Sequence, residues 1–350
     1  MFSKKQTKGQ IGIAFHDGGV TIGQCTWKQG GYAHPRAARI ETDPRELSAE
    51  DWQTCINQAG IIGTDCVLSL PPSIAHHQVL RLPNMDEEEL KEATAWEMVD
   101  RLGAERSALQ IDAIPVGSGG DVLAIAIDQQ TLSGFLEPLY AAGLRPTVIE
   151  PQCMSVARTL SMLHRRLSDQ ATVRSVLDFG LNDSAFMVLA GDSVVFYKNL
   201  EHSGGQLIDA IASHTNVTAE QAKRMLAPSQ FKNDNEEITK AVRDATRATN
   251  EAIATDAMKC IRHYGVTNRG PLSANLIVTG SAGWNAHLAE VLATSCSQEI
   301  LADREIPHIH ALPQTIINTE GWHVSLGASL ASMQSDRQRR SGEVTNKEAA

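Results

Sequence analysis

Two stretches of this chain are built alike, and that likeness constrains the fold more than any other feature. Ile11-Gly12-Ile13-Ala14-Phe15-His16-Asp17-Gly18-Gly19-Val20 lies in the first half, and Val176-Leu177-Asp178-Phe179-Gly180-Leu181-Asn182-Asp183-Ser184-Ala185 in the second. Each is a short apolar strand, a glycine-bearing turn and a returning strand, so an internally duplicated α/β fold is expected. The 350 residues exceed what one ordinary core supports, which also points to two lobes.

Charge and cysteine usage narrow the class. A formal net charge of -10 disfavours a nucleic-acid binder, because phosphate contacts need a basic surface. It equally disfavours direct adhesion to an anionic membrane, so any membrane association is expected to run through another protein. The six cysteines are scattered without a CxxC pair, which reads as buried thiols in a reducing compartment. The start lacks a signal-peptide core, and no apolar run approaches the ~18 residues of a bilayer span. The expected location is cytoplasmic.

Periodicity and punctuation divide the chain. Residues 1–70 read as a first subdomain containing the first hairpin, with a helix from Ser48 to about Ala59 and a strand at Val67–Leu70. Residues 71–150 read as a small inserted α+β subdomain. Its helix opens on the acidic run Asp86-Glu87-Glu88-Glu89, which suits the positive end of a helix dipole. Residues 151–332 form the second half, with a smaller subdomain around 205–265. There Thr218 and Gln221 fit a capping box, and Ala241, Ala245, Ala248 and Ala252 mark the packing face of a long helix. The tail 333–350 has almost no large apolar residue and is expected to be disordered.

The hairpins resemble those of the actin-like ATPases, in which two such units face each other across a cleft and hold the nucleotide phosphates. Turn glycines let backbone N–H groups approach phosphate oxygens, and a strand-end carboxylate positions the metal or its waters. The resemblance implies Gly18 and Gly19 in the first hairpin, and Asp178, Gly180 and Ser184 in the second. Asp178 would be the metal-side carboxylate. A third segment, Leu276-Ile277-Val278-Thr279-Gly280-Ser281-Ala282-Gly283, runs from a strand through small residues into a helix. Thr279, Gly280, Ser281 and Gly283 would there contact the adenosine, with Ser281 standing where the second glycine usually is.

In order along the chain, further strings resemble the PilM family of type IV pilus assembly proteins, and within it the MSHA-pilus variant MshI. They are Leu80-Arg81-Leu82-Pro83-Asn84-Met85, Ala95-Trp96-Glu97, Tyr140-Ala141-Ala142-Gly143-Leu144-Arg145-Pro146, Ser203-Gly204-Gly205, Ala219-Glu220-Gln221-Ala222 and Ser325-Leu326-Gly327-Ala328-Ser329-Leu330. The likeness spans roughly residues 10–332. It implies a fold related to FtsA, a cleft for ATP and Mg2+, and a cytoplasmic scaffold of the pilus inner-membrane complex. The implied partner is the N-terminal cytoplasmic peptide of a PilN-like single-span membrane protein, alongside other pilus assembly proteins. The peptide would dock between Val67–Leu70 and the helix Asp86–Leu102.

The first hairpin departs from the family's pattern. Ala14 occupies the carboxylate position and His16 the turn glycine, while Asp17 could substitute only from within the turn. Loss of that carboxylate removes a ligand for Mg2+, which carries much of the charge neutralisation in phosphoryl transfer. A scaffold with little or no hydrolysis is therefore expected, and no catalytic residue is assigned. The alternatives are an active kinase or ATPase of the same superfold, and a type II secretion cytoplasmic domain similar to GspL. No GxSxG motif is present. His76-His77 and His308-Ile309-His310 read as surface histidines, and Trp96 on the inserted helix as core, with a place in the groove wall as the alternative.

Overall fold

The computed structural model describes residues 9–332, apart from 17–18, 29–30, 118–119, 162–171, 192, 227–235, 269–272, 274, 283–285 and 318. The first lobe holds β1 (Ile11–His16), β2 (Gly19–Lys28), β3 (Gly31–Ile40), α1 (Ala49–Gln58) and β4 (Asp65–Leu70). After β5 (His76–Arg81), α2 (Glu87–Leu102), β6 (Leu109–Val116) and β7 (Asp121–Asp128) come α3 (Gln129–Ala141), β8 (Arg145–Pro151) and α4 (Gln152–Ser161). The second lobe contributes β9 (Val173–Phe179), β10 (Ser184–Ala190), β11 (Ser193–Leu200), α5 (Gly204–Thr215), α6 (Ala219–Leu226) and α7 (Glu236–Asn268). It ends with β12 (Asn275–Thr279), α8 (Ala286–Cys296), β13 (Glu299–Ala302), α9 (Pro307–His310), α10 (Gln314–Ile317) and α11 (Trp322–Ser329).

The duplication is plain in the sheets. Strand order is β3-β2-β1-β4-β8 in one and β11-β10-β9-β12-β13 in the other. In both, the first three strands are antiparallel and the last two join in parallel. A period of two assigns the faces. Ile11, Ile13 and Phe15 point outward into a core with Trp52, Phe135 and Leu139, while Ala14 faces the middle of the molecule. Likewise Leu177 and Phe179 point toward α5, α7 and α8, while Val176 faces the middle.

Between the sheets lie α4 and α11, and each covers the sheet of the opposite half. Cys153, Val156, Ala157 and Leu160 of α4 share a core with Val176, Met187 and Ile277. All eight residues of α11 are buried. It lies so close on β1 and β2 that a Cβ on Gly12 or Gly23 would overlap Ser325. The two helices meet where a Cβ on Gly327 would strike the Ser155 carbonyl, and Arg158 Nη1 donates to Gly327 O at 2.8 Å.

A three-stranded sheet, β5-β7-β6, carries α2 and forms a unit of its own. Asp86 caps α2 by accepting from Glu89 N at 2.9 Å, and Gly103 ends it in the left-handed region at φ 60°. The following α3 and β8 rejoin the first lobe, β8 as the sheet's edge. The small sheet also leans on the second lobe, with His77 Nδ1 3.3 Å from the Tyr197 hydroxyl and Asn199 Nδ2 donating to His77 O at 2.8 Å.

Several expectations need correction. His77 is buried, and desolvation pushes its imidazole down to about 4. Trp96 is not a core residue: it is 69% exposed, because α2 turns Thr94, Ala95 and Met98 inward instead. Val67–Leu70 offers no docking surface, since β4 is enclosed by β1 and β8 and buried along that stretch. On α7 the inward stripe is Val242, Thr246, Asn250, Ile253 and Ala257, so Ala248 faces solvent. The polar interruption near Pro228 and the tail 333–350 lie outside the described residues.

Candidate functional site

The two hairpins face each other across a cleft, and the chain's own side chains fill it. From the second lobe come Asp178, at the penultimate position of β9, and the turn 180–183. Gly180 N donates back to Asp183 O at 2.9 Å, so that amide is spent inside the turn. Its carbonyl accepts from Gly204 N at 2.8 Å, and Leu181 O accepts from Gly205 N at 2.7 Å. The start of α5 is thereby tied to the hairpin. Residue 204 must be glycine, because a Cβ there would overlap the Ala282 side chain.

Gly280 is demanded by backbone geometry. Its φ is 95°, and a Cβ would lie 2.5–2.7 Å from Phe179 backbone atoms. This close crossing lets Ala282 N donate to Phe179 O at 2.9 Å and carries the β12–α8 turn over the end of β9. Asp178, Gly180, Gly280 and Ser281 therefore share the cleft wall. Thr279 lies behind it, with Oγ1 donating to Asp303 Oδ2 at 2.8 Å. Ser184 is buried, its hydroxyl without a hydrogen-bond partner among the described residues. Gly19 pairs with His16 in the β1–β2 ladder, under a strand that leaves no room for a Cβ beside the Ile40 carbonyl. Gly18 and Gly283, with Asp17, lie outside the described residues.

The groups that dominate the cleft were not singled out from sequence. Gln152 Nε2, at the start of α4, donates to Asp178 Oδ2 at 2.9 Å. His323 of α11 sets Nε2 3.6 Å from Asp178 Oδ1, with both side chains buried. Burial alone would push that imidazole down. The adjoining Asp178 carboxylate, with Asp303 and Glu320 further off, outweighs burial and holds it above its ordinary value. The Asp303 carboxyl is raised by burial, against the pull of His323 and Thr279.

From the first lobe, His16 Nε2 lies 2.9 Å from Thr21 Oγ1, Thr21 bonds the Glu320 carbonyl, and Arg39 pairs with the Glu320 carboxylate. Asp183 adds a link from the second hairpin to Ser73, and burial raises its carboxyl against those hydrogen bonds.

These residues do not fit a magnesium-bound triphosphate. The enclosed space left between the hairpins is small, about 60 Å3. Ala14 brings no carboxylate from β1. Asp178 is already engaged by Gln152 and adjoined by His323. Among the described residues, no group of three or more His, Cys, Asp or Glu side chains is arranged to hold a metal ion. What the arrangement does is join the two lobes through buried polar contacts.

Comparison with known proteins agrees with this architecture. No family model matches the chain, and no curated protein matches it by sequence. Among solved structures, it is similar to one described as the PilM-PilN type IV pilus biogenesis complex, at 19% identity and a TM-score of 0.69, covering 92% of this chain and 98% of that one. It is also similar to the ethanolamine utilization protein EutJ from Carboxydothermus hydrogenoformans, at 14% identity and a TM-score of 0.53, covering 92% of this chain and 89% of that one. The fold is that of the actin-like ATPases. No helix among the described residues is long and apolar enough to cross a membrane.

Proposed function

We propose that this protein is a cytoplasmic scaffold of a type IV or MSHA-type pilus assembly complex, not an ATP-hydrolysing enzyme. The observation that carries the reading is the occupied cleft: Gln152 and His323 sit against Asp178, and His16 and Glu320 are tied to Thr21, where an ATPase would keep open space. A scaffold keeps the two-lobed frame and needs no chemistry within it. The solved PilM-PilN complex, which shares this fold, supports a PilN-like membrane protein as partner. Its N-terminal cytoplasmic peptide would hold this acidic protein at the inner membrane, with other pilus assembly proteins joining the same complex.

Exposed apolar side chains on the inserted unit and on the first lobe support docking there. Trp96 on α2, Tyr140 on α3, and Val148 and Ile149 on the edge strand β8 are each at least 41% exposed. Trp and Tyr are the residue types that most often anchor an interface. An edge strand also offers free backbone groups to an extended peptide. On this reading the surface takes the peptide through Trp96 and β8, and Asp178, Gly180, Gly280 and Ser281 serve the frame.

The test is calorimetry of the purified chain with the cytoplasmic N-terminal peptide of the PilN-like protein encoded beside it, and separately with Mg·ATP while phosphate release is followed. Peptide binding without phosphate release is expected. Steady phosphate release that disappears in Asp178→Ala, with no peptide binding, would overturn the scaffold reading.

A further inference from the structure

A second and larger cleft lies away from the hairpins, between the inserted sheet, β11 and α7. Its volume is about 520 Å3, against about 60 Å3 between the hairpins. That falls within the ~300–1,000 Å3 typical of small-ligand sites. The floor is apolar, built from Val79, Val116, Val195 and Phe196. Phe196 is a fixed platform, with ring centroids of Phe186, His263 and Tyr264 at 6.2, 5.9 and 6.2 Å.

One wall carries two ammonium groups, Lys198 and Lys259. Lys259 is partly neutralised by Asp256 at 3.0 Å, while Lys198 pairs with no carboxylate among the described residues. Both lysines bear on one point: burial pushes the Cys260 thiol up to about 11, Lys198 and Lys259 pull against that rise, and Asp256 adds to it. On a chain of net charge -10, paired cations over an apolar floor run against the overall field. Asp121 is the carboxylate in the lining and would turn a ligand's anionic end toward the lysines.

We propose that this cleft binds a small amphipathic anion, an aromatic or aliphatic body carrying one carboxylate, sulfonate or phosphate. The apolar body lies on Phe196 and the valines, and the anion meets Lys198 and Lys259. The ligand touches β5 and β6 of the inserted unit together with β11 and α7 of the second lobe, so its binding strengthens the contact between the two.

The probe is 8-anilinonaphthalene-1-sulfonate, titrated by fluorescence and calorimetry into the folded full-length chain. Its uncharged analogue N-phenyl-1-naphthylamine is titrated in parallel. Saturable 1:1 binding of the sulfonate is expected, at least tenfold tighter than the analogue. Lys198→Glu and Thr267→Trp, both at exposed positions on the rim, should each weaken it at least tenfold without changing the melting temperature. No saturable binding, equal affinity for the analogue, or unchanged affinity in both variants overturns the proposal. Neither substitution lies on α2, α3 or β8, so PilN-peptide binding is a separate readout that stands or falls independently.

Discussion

Nε2 of His323 lies 3.6 Å from Oδ1 of Asp178, and this buried pair brings α11, which covers the first sheet, against β9 of the second. The imidazole is raised above its ordinary value of 6.5. Below that value it is protonated in both the folded and unfolded chain, so the pair contributes fully. As pH rises through the folded value, the contribution is lost. The melting temperature should therefore fall across that window on the alkaline side. His323→Gln should flatten this part of the profile, as a pH series of thermal melts would show. An unchanged slope in the variant would mean the pair does not set the pH response.

Two glycines with positive φ should respond very differently to alanine. At Gly63, φ is 109° and nothing lies within 4 Å of a new Cβ, so Gly63→Ala meets only the backbone cost of roughly 1–2 kcal/mol. At Gly280 the same methyl group meets Phe179 backbone at 2.5 Å, and the loss should be roughly 3 kcal/mol or more. Urea unfolding of the two variants measures the difference.

Arg158 and Glu150 form a buried bidentate pair, both contacts at 2.8 Å, beside the crossing of α4 and α11. Arg158→Met strands a buried carboxylate and should cost roughly 3–5 kcal/mol. Adding Glu150→Leu should recover most of that loss, because the charge left without a partner is then gone. A double-mutant cycle in urea tests the recovery.

On the scaffold reading, Trp96 is an interface anchor without a folding role. Trp96→Ala should leave stability within about 0.5 kcal/mol and weaken peptide binding by about 2 kcal/mol, some thirtyfold. Equal affinity in the variant would move the docking surface elsewhere.

The frame was largely legible because its signals are local. Alternating apolar residues marked β1 and β9, and Ser48, the acidic run from Asp86 and the Thr218–Gln221 capping box marked helix starts that the structure reproduces. β3 escaped notice because an edge strand needs no apolar alternation and tolerates Pro35 and a positive φ at His34. β13, with four residues, carries too little pattern to read.

The cleft was harder to read. Its strongest group, His323, acquires its meaning only from Asp178, a carboxylate 145 positions earlier, and from Asp303 and Glu320. Ala14 and His16 did show in advance that the first hairpin had lost its carboxylate. Nothing local showed that neighbouring side chains fill the space. Trp96 and His77 were each placed on the wrong side of the surface for a related reason. Burial of one residue on a helix or strand depends on which face the rest of the molecule covers.

The exchange of α4 and α11 between the two sheets sets the timetable of synthesis. The inner face of the first sheet has no cover of its own, since its lid, α11, is the last of the described elements to leave the ribosome. The amino-terminal half must wait, partly bare, for residues Trp322–Ser329 to arrive. Maturation is then a single late closure in which both halves become native together. A chain stopped after β8 would be a nascent intermediate that chaperones must hold, not a smaller working protein.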